Sequence, residues 1–314
     1  MRFLLLTLFA LQTVAAATAP GVRSRFSIED RDLTPEDAIA REVRAFKGVM
    51  GVSAKNLLTG EAINIDADRR FPTASTIKMA VLLEVYHQAA EGRLRMDEPL
   101  TLGEADKAGG SGTLNGLHDG LSLTIRDLTH LMIVVSDNTA TNMLVARVGT
   151  KNVDDRLVAY GLKDTKLFRP TFRDGRADVF PELEQEFGLG MTTPRDMATL
   201  MTLIAEGRAV NAEASAAMLA TLRQQQDRAM IPRLLPGDVE VGNKTGSDEE
   251  KHAAAGGGHH HVRADVAIVT GKNLKYVIAI YARDVRDTRW SVDNDALTTG
   301  ARISQLVYER FSAR

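Results

Sequence analysis

The chain contains no cysteine. Disulfide bridges, thiolate zinc sites and a cysteine nucleophile are therefore excluded. Charge of neither sign dominates: 39 basic and 41 acidic residues leave a net charge of −2. Nothing in that balance provides the positive field of a nucleic-acid or anionic-membrane binder. No internal repeat is visible, and one low-complexity tract stands out, Ala253 to His261. Beyond the first residues no run is apolar and long enough to span a bilayer.

What is present at the N-terminus is a short export signal. Met1-Arg2 is a minimal positive region, Phe3 to Leu11 an apolar run, and Ala15-Ala16-Ala17 an A-x-A cleavage site. The run falls well short of the ~20 residues a membrane helix needs. Residues 1–17 thus read as a signal peptide, giving a periplasmic or secreted protein with no stable membrane insertion after cleavage. With 314 residues, 44% hydrophobic and 25% charged, the remainder suits one large domain or two closely packed ones.

Local signals place the elements. Thr34-Pro35-Glu36-Asp37 is a strong helix start, with a capping threonine, proline at the first position and two acids near the positive dipole end. Val49 to Ala54 and Ala62 to Ile65 read as strands joined by a turn ending at Gly60. From Thr76 to Ala90 the apolar period is helical, so Ser75 sits at a helix start with Lys78 one turn on. Leu121 to Val135 and Thr139 to Val148 are helical, and Thr193-Pro194 opens a helix that Gly207 closes. Asp164 to Met191 is highly charged and carries few regular signals. Val239 to Val241, Val266 to Val269 and Tyr276 to Tyr281 read as strands, and Trp290 to Phe311 as a helix. The order predicts an α/β plus all-α architecture. An antiparallel sheet flanked by helices is built from both chain ends (30–72 and 208–314), with a helical domain inserted at 73–207.

Three short motifs follow one another along this frame: Ser75-Thr76-Ile77-Lys78, Ser136-Asp137-Asn138 and Lys244-Thr245-Gly246. A Ser-x-x-Lys match alone occurs about once by chance in a chain of this length. All three in this order are not a chance pattern. A serine hydroxyl needs a nearby base. A lysine one helical turn away can supply it if burial and a neighbouring cation such as Lys244 lower its pKa. Free N–H groups at the helix start suit a developing oxyanion. Ser136 is placed to relay a proton, Asn138 to bind a substrate amide, and Lys244 and Thr245 on a strand edge to bind a carboxylate. Gly246 allows close approach.

These motifs, with Phe71-Pro72-Thr73-Ala74, Asn142-Met143-Leu144, Thr192-Thr193-Pro194, Ile231-Pro232 and Leu234-Leu235-Pro236, resemble the class A serine β-lactamases and their penicillin-recognising relatives. The resemblance runs from about Thr34 to Phe311. It implies the β-lactamase/transpeptidase-like fold and an acyl-enzyme on Ser75. Proton transfer would fall to Lys78 and Ser136, and substrate amide binding to Asn138. Lys244, Thr245 and Arg263 would bind the carboxylate, and the N–H groups of Ser75 and Ser247 would form an oxyanion hole. It implies a small-molecule β-lactam or a peptidoglycan-like peptide as partner. No strong dimer signal is visible, so a monomer is expected, with neither metal nor cofactor.

The resemblance breaks in two places. Class A enzymes carry a deacylating glutamate in a Glu-Pro-Glu-Leu-Asn segment. Here the nearest match is Phe180-Pro181-Glu182-Leu183-Glu184. Either Glu184, or failing it Glu182, is a relocated base, or the base is absent and the acyl-enzyme is long-lived. A solvated acidic loop is the bland alternative. The same scaffold would then serve a D-alanyl-D-alanine peptidase, an esterase or amidase, or a penicillin-binding sensor. The second break is the insertion after Ser247, with His252 and His259 to His261. It is expected to be a mobile glycine-rich loop rather than a metal site.

Overall fold

The computed structural model describes residues 34–253 and 259–313. The predicted signal peptide lies outside them. The chain opens with α1 (Pro35–Ala45), started by Thr34, whose Oγ1 accepts from Asp37 N at 3.1 Å. Strands β1 (Val49–Asn56) and β2 (Ala62–Ile65) form a hairpin. Asn56 Oδ1 shapes its turn by accepting from Leu58 N at 2.9 Å, and Gly60 closes it at φ 80°.

The short β3 (Phe71–Pro72) leads into a 3₁₀ turn, Ala74–Ile77, and then α2 (Lys78–Ala90). Strands β4 (Pro99–Thr101) and β5 (Ser122–Thr124) pair beside α3 (Ile125–Val134), α4 (Asn138–Val148) and α5 (Thr150–Ala159). Next come β6 (Lys166–Leu167), α6 (Pro181–Phe187), β7 (Gly190–Thr192), α7 (Pro194–Ala205) and α8 (Ala212–Leu222). The chain ends in β8 (Glu240–Ala253), β9 (His259–Gly271), β10 (Leu274–Val285) and α9 (Asp295–Ser312).

The main sheet is antiparallel throughout, in the order β2-β1-β10-β9-β8. Strand alternation sorts its side chains onto two faces. Ala267, Val269, Tyr276, Ile278 and Ile280 share a core with Ile39 of α1 and Ile303 and Val307 of α9. Ala264, Val266, Ile268, Val277 and Ala279 belong to the larger core built with α2, α3, α4, α7 and α8. The antiparallel sheet flanked by helices thus matches the predicted fold class.

Three features differ from the predicted elements. Strands β8 and β9 run far beyond their apolar centres, and part of the insertion expected to be loop is paired strand, with Glu249 opposite His261. Helices α5, α6 and α8 have no counterpart among the predicted elements. The helix after Ser75 is preceded by the 3₁₀ turn, whose first residue, Ala74, takes a left-handed backbone at φ 42°.

Candidate active site

Ser75 lies in the 3₁₀ turn and is partly exposed, while Ala74, Thr76, Ile77 and Lys78 around it are buried. A left-handed non-glycine residue such as Ala74 is strained, and such strain gathers at functional sites. The turn is held from beneath: Thr76 Oγ1 donates to Thr73 O at 2.7 Å and accepts from Tyr281 Oη at 2.8 Å. From the side it is met by β8. A Cβ on Gly246 would fall 2.9 Å from Thr73 O and 3.2 Å from Ser75 N, so glycine lets this strand edge reach the serine backbone.

The second motif forms the corner between α3 and α4. Ser136 is also left-handed, at φ 56°. Asp137 caps α4 through Ala140 N at 2.8 Å and gathers the preceding loop through Thr113 N at 2.6 Å and Leu114 N at 2.9 Å. Its carboxylate therefore serves structure. Asn138 donates from Nδ2 to Gly109 O at 2.9 Å, and its Oδ1 accepts from Lys78 Nζ at 2.7 Å.

Lys78 is fully buried and donates further to Ser136 O at 2.6 Å and Ser136 Oγ at 3.1 Å. Lys244, equally buried on β8, donates to the same Ser136 Oγ at 3.0 Å and to Thr245 O at 2.7 Å. One hydroxyl is thus shared by two ammonium groups. Burial, and then the charge of Lys244, drive the Lys78 pKa well below the usual lysine range, against the pull of Asp137. Burial pushes Lys244 down to about 8, opposed by Asp227 and Asp265.

These groups open onto a cavity of about 1050 Å³ lined by Ser75, Ser136, Asn138, Thr245 and Ser247. It is also lined by Gly110 and Ser111, by the loop residues Arg169, Thr171, Phe172 and Asp174, and by Asp227, Asp248, Glu249 and Trp290. Lys78 and Lys244 reach it through Ser136. Three other predicted site residues do not line it: Gly246, which packs against the serine turn, Arg263 and Glu184. Arg263 is buried under β8, donating to Val262 O at 2.8 Å and Arg289 O at 3.2 Å, hydrogen-bonded to His261 Nδ1 at 2.8 Å, and stacked on Trp290. Glu184 accepts from Arg169 Nε at 2.5 Å, Gly175 N at 2.8 Å and Ala177 N at 3.2 Å.

The Phe180-Pro181-Glu182-Leu183-Glu184 segment opens α6, with Phe180 packed edge-on against Phe168 rather than facing the serine. What the loop presents beside Asn138 is Thr171. Its N and Oγ1 each donate to Asn142 Oδ1 at 2.8 Å, and Asn142 Nδ2 returns a bond to Thr171 O at 3.2 Å. Sequence reasoning missed Arg169, Thr171, Phe172 and Trp290. The one local clue is Arg169-Pro170, a charged residue and a proline directly after the apolar Leu167-Phe168.

A serine in a strained turn, two buried lysines and a strand edge thus converge on one cavity. Comparison with known proteins gives the family. Residues 34–311 match the Beta-lactamase enzyme family, and the chain belongs to it. Among curated relatives, β-lactamase CARB-3 of Pseudomonas aeruginosa is 25% identical over 252 residues, covering 79% of this chain and 81% of that protein. β-Lactamase L2 of Stenotrophomonas maltophilia is 32% identical over 133 residues, which span 42% of this chain and 44% of that protein. A β-lactamase structure from Sphaerobacter thermophilus DSM 20745 aligns with a TM-score of 0.75 at 32% identity, covering 89% of this chain and 98% of the other. The structure of PBP-A aligns with a TM-score of 0.75 at 26% identity, covering 89% and 96%. The protein is thus a serine β-lactamase-like, penicillin-recognising hydrolase.

Proposed function

We propose that Ser75 opens β-lactam rings by forming an acyl-enzyme. The observation that carries this reading is the Ser136 hydroxyl held between Lys78 and Lys244 at 3.1 and 3.0 Å. Lys78, its pKa lowered by burial, takes the Ser75 proton as Oγ bonds to the lactam carbonyl carbon. The oxyanion is received by the N–H groups of Ser75 and Ser247. When the carbon–nitrogen bond breaks, Ser136 gives its proton to the leaving nitrogen and is reprotonated from Lys78. Lys244 and Thr245 bind the substrate carboxylate and Asn138 its side-chain amide. Arg263 acts by holding the Trp290 wall.

A second reading concerns the fate of the acyl-enzyme. Among the described residues no glutamate of the 168–188 loop lines the cavity, and Thr171 occupies the wall beside Asn138 and Asn142. That favours slow deacylation, as in a D-alanyl-D-alanine peptidase or a penicillin-binding protein. A point mutant of PBP-A has been solved as an acyl-enzyme complex with penicillin G. Export with cleavage after Ala17 belongs to the same proposal. No helix among the described residues is long and apolar enough to cross a membrane.

Intact-mass spectrometry of protein expressed with its N-terminus, before and after benzylpenicillin, tests these points together. The expected result is loss of residues 1–17 and a one-to-one adduct, absent from Ser75→Ala. An adduct that persists on Ser75→Ala would overturn the nucleophile. Rapid loss of ring absorbance with free enzyme at the end would overturn slow deacylation.

A further inference from the structure

Phe172 combines two unfavourable features. Its backbone is left-handed, at φ 54°, and the residue is 58% exposed. A bulky residue avoids that backbone region, and a phenyl ring in water forgoes its burial free energy. It joins none of the buried apolar clusters formed by the described residues. The ring lies instead against the bare Cα of Gly110: a Cβ there would sit 2.7 Å from Phe172 Cζ and 2.9 Å from Asn138 Nδ2. One glycine therefore separates the phenyl edge from the amide proposed to bind the substrate side chain.

The residues on either side of Phe172 are tied down. On one flank Thr171 is bound to Asn142, with N and Oγ1 each at 2.8 Å from Oδ1. On the other, Arg173 Nη2 donates to Ala105 O at 2.6 Å. An exposed aromatic on an anchored segment lining the cavity offers a contact surface for substrate, since substrate is what would cover it. Trp290, which also lines the cavity, lies next to Arg263 and far along the chain from this loop.

We propose that Phe172 is a specificity-determining residue whose ring receives the acyl side chain of the substrate and selects aryl or alkyl groups there. The inference rests on the acyl-Ser75 reading. Benzylpenicillin and 6-aminopenicillanic acid share one bicyclic nucleus, but only the first carries a phenylacetyl group. Second-order acylation constants for both, read by quenched intact mass, test it on the mature protein, on Phe172→Ala and on Phe172→Leu. Phe172→Ala is expected to slow benzylpenicillin about tenfold and to leave 6-aminopenicillanic acid within about twofold, with Phe172→Leu in between. If Phe172→Ala fails to melt cooperatively, Phe172→Leu carries the comparison at about threefold. Equal losses for both compounds would overturn the selective role of Phe172 while leaving acylation intact. No labelling of the unmodified protein by either compound would overturn the acyl-Ser75 reading and this inference with it.

Discussion

The Ser136 hydroxyl is within hydrogen-bond distance of both lysine ammonium groups, so the protonation of either is felt at one oxygen. The proposed mechanism places opposite demands on the two lysines. Lys78 must lose its proton to act as a base, whereas Lys244 must keep its own to bind an anionic substrate. Burial lowers both, Lys244 to about 8. Below pH 8 Lys244 is charged; as pH rises through 8 the charge is lost. Acylation by a penicillin carboxylate should therefore fall above pH 8, to about a tenth by pH 9. Lys244→Ala should react slowly at every pH and lose this alkaline limb; an unchanged limb would show that another group titrates there. At this scale the sequence was most informative. Ser75, Lys78, Ser136, Asn138 and Lys244 lie in three ordered motifs, and short-range geometry fixes each side chain relative to its motif. Phe172 and Thr171 carry no such signal, because their positions depend on how a long loop is tied down.

That loop is governed at the scale of the element. Arg169 is nearly buried, with its side chain 3% exposed, and it joins Asp174 to Glu184 across the base of the loop. Glu184 also accepts two backbone N–H groups, from Gly175 and Ala177. Glu184→Gln breaks the ion pair but leaves Asp174 on Arg169, so the cost is expected to be about 2 kcal/mol rather than the full cost of stranding a buried charge. For a domain of this size that lowers Tm by roughly 5 °C. Labelling at Ser75 should persist. A variant with unchanged Tm but arrested deacylation would instead make Glu184 the base. Elements became illegible where burial departs from simple period. Strand β8 runs through Asn243, Lys244, Thr245 and Ser247, polar residues placed by the cavity rather than by an apolar alternation. Helix α8, Ala-Glu-Ala-Ser-Ala-Ala-Met-Leu, is so alanine-rich that its buried face hardly differs from its exposed one. Helix α6 has a signal in Pro181 at its first position, masked because the segment also reads as a catalytic motif.

Across the whole molecule, stability is set partly by acids that the fold buries away from water. Asp154 on α5 supports β6, accepting from Leu167 N at 2.8 Å. Its Oδ2 is buried with no hydrogen-bond partner among the described residues, and burial raises its pKa to about 7, against the pull of the Leu167 N–H and of Lys166. An unfolded aspartate titrates near 3.9. Between about pH 4 and 7 the folded protein therefore holds a proton that the unfolded chain has released. The contribution is complete below pH 4, is lost as pH rises to 7, and is flat beyond. Asp265 behaves in the same direction, pushed to about 7 by burial, and is unchanged in a variant at position 154. Asp154→Asn keeps an oxygen for Leu167 N and cannot ionise. Any packing cost of the new amide is independent of pH, so the informative quantity is the change in Tm difference with pH. Relative to the unmodified protein, Asp154→Asn should gain several °C between pH 4 and pH 7.5 and nothing further up to pH 9, as read by calorimetry. A difference in Tm that stays constant over the whole range would mean that Asp154 ionises in the fold as it does in water.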